Sequence, residues 1–122
     1  AFATLAMGLE ILQNEDVAVD TLLGHGGLFK TPGVAQRYLA AAAGAPVTCM
    51  ETAGEGGPYG MALLAAYRLH RAEGETLADY LKTRVFAGAR STTLTPDAAD
   101  VAGFAAFLRE YERALKAERA VV

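Results

Sequence analysis

Phe2, Leu5, Leu9 and Leu12 recur at steps of three and four residues, the apolar stripe of an amphipathic helix that Asn14-Glu15-Asp16 closes. The pattern then changes. "VAVDTLLGH" (17–25) is short, β-branched at its start and shut by glycine, which predicts a buried strand of about five residues. Thr31 and Pro32 suit the N-cap and first turn of a second helix, "VAQRYLAAAAG", which Gly44 stops. "PVTCMET" (46–52) predicts a second strand, and "AGEGGPYG" (53–60) a second glycine-rich turn. "MALLAAYRLHRAEG" (61–74) is a third helix, and Thr76-x-x-Asp79 a capping pattern for a short one after it. "AGARSTTL" (87–94) is expected to be a linker. Thr95-Pro96 then opens a last helix whose stripe is Val101, Phe104, Leu108, Tyr111 and Leu115.

The predicted order is helix, strand, helix, strand, then three helices. Strand–helix–strand predicts parallel pairing in a layered α/β fold. Two strands are fewer than the roughly five of an average sheet, so further strands are expected elsewhere in a longer parent chain. A start at Ala1 already inside a helical stripe fits that expectation.

Composition narrows the class. The chain has 122 residues, 52% hydrophobic and 20% charged, enough to build a core and far from a disordered composition. A net charge of −3 gives no general attraction to nucleic acid, and no apolar run approaches a membrane span. Cys49, the single cysteine, lies in an apolar run and is read as a small buried hydrophobe; the balance favours the cytoplasm.

The candidate chemistry lies in the two glycine-rich turns, each at the carboxyl end of a strand and before a helix. In open α/β sheets ligands sit at that edge, and the unpaired N–H groups of a helix start favour anions. Gly26 and Gly27 remove the Cβ atoms that would hold a phosphate or a flat base away. Neither a P-loop nor a G-x-G-x-x-G fingerprint is present, and the glycines also suit a purely structural turn. His25 reads as a turn residue, His70 as surface, and Glu51 and Glu55 as hydrogen-bond partners for glycine-loop N–H groups.

The ordered set Gly26-Gly27, Lys30-Thr31-Pro32, Gln36-Arg37, Pro46-Val47, Glu55 and Gly60-Met61-Ala62-Leu63-Leu64-Ala65 resembles the C-terminal domain of the FGGY carbohydrate kinases. The likeness covers about residues 20–67, and the last helix is similar to that of the ribulokinase-like branch. The resemblance implies an actin-like (ribonuclease H-like) ATPase fold with few parallel strands flanked by helices. It implies that residues 1–122 are the C-terminal nucleotide-binding part of a two-domain sugar kinase, with a helical extension over about 75–122. The parent would phosphorylate a sugar, a ketopentose such as ribulose or xylulose, with ATP and Mg²⁺.

By the same resemblance Gly26 and Gly27 would meet the ribose and α-phosphate side, Leu28 and Thr31 would border the base, and Lys30 would stand at the rim. Glu55, Gly56, Gly57 and Gly60 would form the supporting turn. His25 and Leu28 depart from the family's usual Gly and Ala, and Leu28 would crowd the base. No catalytic residue and no metal ligand set is expected here, so the piece alone should be inactive. Its partners would be the N-terminal domain of the same parent, ATP and the sugar; a homodimer is left open. A non-catalytic interaction module and an actin-like ATPase without a sugar substrate are the competing readings.

Overall fold

A computed structural model describes residues 2–120. Helix α1 runs over Phe2–Asn14, strand β1 over Leu22–Gly24, helix α2 over Val34–Ala43 and strand β2 over Val47–Met50. Helices α3 (Gly56–His70) and α4 (Leu77–Tyr80) follow, then strand β3 (Ser91–Leu94) and helix α5 (Ala98–Arg119). Single 3-10 turns at Gly27–Phe29 and Ala53–Glu55 precede α2 and α3.

Among the described residues these elements form a mixed α/β fold around one three-stranded sheet, ordered β1-β2-β3. The pair β1–β2 is parallel, Leu22 opposite Val47, as the strand–helix–strand pattern predicts. The stretch 87–94 corrects the linker expectation: its end is β3, antiparallel to β2 with Thr93 opposite Thr48. The two threonine hydroxyls meet at 2.8 Å across the ladder, a cross-strand pair of the kind that supports β-branched residues in sheets. The sheet is therefore not purely parallel, and the extension from residue 75 is not purely helical.

Three boundaries also move. β1 is three residues, shorter than expected. α2 begins at Val34, because Thr31-Pro32-Gly33 form a turn and Gly33 occupies the N-cap with φ 78°. α3 begins at Gly56, so Gly56 to Gly60 are its first turns and not a loop; Pro58 is tolerated there because the N–H groups of a first turn need no intrahelical partner. The cap at Thr76 is formed: its Oγ1 accepts from the Asp79 N–H and donates to the Asp79 carboxylate. At α5 the N-cap is Asp97, whose carboxylate accepts from the N–H groups of Ala99 and Asp100.

The core is small and alanine-rich. Leu39, Ala40 and the fully buried Val47 form its centre, with Phe2, Leu22, Phe29 and Cys49 against it. Burying one valine of this kind stabilises by about 2 kcal/mol. On α1 the buried positions are Ala3 and Ala6, whose small side chains let α1 lie close on α2, while Leu5 and Leu12 of the expected stripe are exposed. The α5 stripe is half-buried along its length. No residue of α3 is buried, and Met61, Leu64 and Leu69 stand in solvent.

Helix α5 is fastened to α2 by Arg37, whose Nη2 donates to Asp100 at 2.8 Å while its Nε donates to the other carboxylate oxygen. That hydrogen bond holds the Asp100 carboxyl below its ordinary value of 3.8; partial burial opposes the shift and the opposite charge adds to it. A carboxylate depressed by folding stabilises above its unfolded pKa, and the gain is lost as pH falls through the folded one. An Asp100→Asn variant should therefore melt below the parent chain at neutral pH. The gap should close as pH falls below the ordinary value of 3.8 and through the depressed one, which thermal melts across pH would read; a gap that persisted in acid would contradict the pairing.

Candidate functional site

The carboxyl ends of β1 and β2 deliver the two glycine-rich turns side by side. Gly24 ends β1 with no room for a side chain: an added Cβ would lie 2.5 Å from the Phe29 ring and 2.7 Å from the Cys49 sulfur. Gly26 follows with φ 101°, a conformation that L side chains rarely adopt, and its N–H donates to the Ala53 carbonyl at 2.6 Å. That bond ties the first turn to the second. Gly54 packs on Lys30 and Gly56 on His25, with Cβ positions 3.0 and 3.1 Å from the opposing atoms. Lys30 Nζ meets Glu55 Oε1 at 2.5 Å. The Glu55 carboxylate thus neutralises a cation, where hydrogen bonding to glycine amides was expected.

Beside the joined turns opens a cleft of about 510 Å³. Its near wall is Phe29 to Gly33, its lip is Gly54 and Glu55, and its floor includes Gln36, Cys49 and Met50. Its far wall is Glu51 with Arg90, Ser91 and Thr92 of the β3 segment. Gln36 is the one buried polar side chain among the described residues. Its Nε2 donates to the carbonyls of Val47 (2.7 Å) and Thr92 (2.8 Å), and its Oε1 accepts from the Thr92 hydroxyl. An α2 side chain therefore pins β3 against β2 from beneath the cleft. Arg90 and Glu51 pair at 2.9 Å on the opposite rim from Lys30 and Glu55.

The structure brings Lys30, Thr31 and Glu55 into this cleft. Gly26, Gly27 and Leu28 lie outside its lining; Leu28 is 55% exposed, and the space where a Cβ of Gly26 or Gly27 would stand has no atom within 4 Å. The spot is open. Gly56 is occupied in packing against His25, and Gly57 and Gly60 face open space at the start of α3. The far wall was not foreseen, since Arg90 to Thr92 read as linker; the β-branched pair Thr92-Thr93 before Leu94 was the available signal.

Cys49 is half-buried on the cleft floor. Burial pushes its thiol above the ordinary value, with a Gly24 main-chain hydrogen bond pulling the other way. It stays a thiol at neutral pH and a weak nucleophile. Among the described residues no group of three or more His, Cys, Asp or Glu could hold a metal ion, and no helix is long and apolar enough to cross a membrane. The two carboxylates in the lining, Glu51 and Glu55, are each paired with a cation.

Against known proteins, the family whose model matches is described as "FGGY family of carbohydrate kinases, C-terminal domain", and the match covers residues 1–69. No curated protein and no solved structure gives a significant match.

Proposed function

Because the chain belongs to the FGGY family of carbohydrate kinases, through that family's C-terminal domain, we propose that it is the nucleotide-facing part of an ATP-dependent sugar kinase acting on a ketopentose such as ribulose or xylulose. Its three-stranded layer is part of an actin-like domain, and its partner is the N-terminal domain of the same cytoplasmic parent. The observation that carries this reading is the empty space over Gly26 and Gly27 at the end of β1, next to the cleft.

The nucleotide's ribose and α-phosphate rest on the main chain at Gly26-Gly27, and the base turns toward Thr31 and the cleft. Since the Gly26 N–H is committed to Ala53, Gly27 and Leu28 supply the approachable amides. Lys30 stands at the rim, held by Glu55 until a stronger anion competes; an exposed pair of this kind is worth under about 1 kcal/mol and exchanges readily. The exposed Leu28 narrows the approach to the base. Phosphoryl transfer needs a base for the sugar hydroxyl and carboxylates for Mg²⁺. Neither is assembled among the described residues, so both come from the rest of the parent.

The test is a Gly27→Val substitution in the kinase that contains this chain, read by sugar-dependent ADP release. With no atom within 4 Å of the new Cβ, the fold should be undisturbed. The nucleotide KM should rise about tenfold or more, a loss of about 1.4 kcal/mol, with the sugar KM unchanged. An unaltered nucleotide KM would refute the placement, and ADP release that ignores every ketopentose would refute the substrate class.

A further inference from the structure

The cleft is a composite. Its near wall and floor belong to the family-matched stretch 1–69, but Arg90, Ser91 and Thr92 come from beyond it. They are held in place from two sides. The Glu51 N–H donates to the Arg90 carbonyl at 3.1 Å, and Gln36 grips both the carbonyl and the hydroxyl of Thr92. Arg90 therefore leaves a fixed main chain, while its side chain is 81% exposed at the cleft mouth with Glu51 as its partner.

The charges lining the cleft cancel in pairs, Lys30 with Glu55 and Arg90 with Glu51. A phosphate entering it could part these exposed pairs at a cost of under about 1 kcal/mol each, but it would then lie against the freed carboxylates and meet their repulsion. An uncharged flat heterocycle meets no such repulsion: it can lie between the Phe29 wall and the Cys49 and Met50 part of the floor. A guanidinium is planar, weakly hydrated and stacks on aromatic faces without giving up an in-plane carboxylate partner.

Resting on the reading above, we infer that Arg90 is a nucleotide-recognition residue whose guanidinium closes over the base, so that the segment after the family-matched domain forms part of the binding site. It contributes affinity for the base and none for the phosphates.

The experiment titrates the isotope-labelled chain, and its Arg90→Ala and Arg90→Lys variants, with adenosine and separately with inorganic tripolyphosphate, following amide shifts by NMR. Lysine keeps the charge and the Glu51 pairing but not the plane. Both variants should weaken adenosine binding about fivefold to tenfold, with tripolyphosphate unaffected. Three results would overturn the inference: wild-type adenosine affinity in Arg90→Lys, loss of tripolyphosphate together with adenosine, or adenosine shifts at Gly26 to Thr31 with none at Arg90 to Thr92. The last of these leaves the nucleotide reading standing. If the wild-type chain and the intact kinase both ignore ATP, that reading falls and this one with it.

Discussion

A Gln36→Leu variant should lose roughly 1–3 kcal/mol of stability. Leucine fills nearly the same space, so no cavity is opened. What disappears is the amide that serves two carbonyls, Val47 and Thr92, on neighbouring strands. Both carbonyls also lie in the β2–β3 ladder, so the loss is the net worth of the two side-chain hydrogen bonds, about 0.5–1.5 kcal/mol each. Urea unfolding should show the midpoint falling sharply with little change in slope. The amides of Ser91 to Leu94 should exchange first, because β3 is the strand that Gln36 holds. A midpoint indistinguishable from that of the parent chain would mean that the strand pair does not depend on α2.

The second large effect is expected at Gly24. A valine there must place its Cβ where the Phe29 ring and the Cys49 sulfur already stand, at 2.5 and 2.7 Å. Neither can retreat freely, since both pack against the Leu39, Ala40 and Val47 core. Overpacking of this kind destabilises by about 1–3 kcal/mol, sometimes more. The Phe29 ring also ends the 3-10 turn that begins at Gly27, so its displacement should disturb the open spot as well. Gly24→Val should thus lower both the melting temperature and nucleotide affinity, whereas Gly27→Val lowers affinity alone. Finding Gly24→Val as stable as the parent chain would contradict the packing described at the end of β1.

These two residues also show what the sequence could and could not disclose. The glycine cluster marked the turn, and the alternation of strand and helix gave the parallel β1–β2 pair, because both signals are local. Gly24 could be recognised only as one glycine among three; that its hydrogen is the sole atom that fits depends on Phe29 and Cys49 arriving from elsewhere. Gln36 stood out as a family element, yet its grip on Thr92 spans 56 residues and no periodicity records it. β3 escaped notice for a related reason. Its Ser-Thr-Thr face is largely solvated, so the strand carries almost no apolar alternation, and its identity comes from pairing with β2. With β3 missed, the far wall of the cleft was missed too.

The start of α3 was hidden by composition. Gly56, Gly57 and Pro58 read as a loop, although a first helical turn tolerates all three. The candidate site divides along the same line. That positions 26 and 27 leave bare main chain is legible because the absence of a side chain is written in the sequence. The Lys30–Glu55 and Arg90–Glu51 pairs are not, because a charged residue near a turn does not name its partner.

The most direct measurement is an amide-shift titration of the isotope-labelled chain with ATP at millimolar concentration. If the bare main chain at the end of β1 receives the nucleotide, Gly27, Leu28 and Thr31 should shift together and saturate, while the solvent-facing positions of α3 stay still. A titration in which residues 26 to 31 do not move, or move no more than α3 does, would contradict the account.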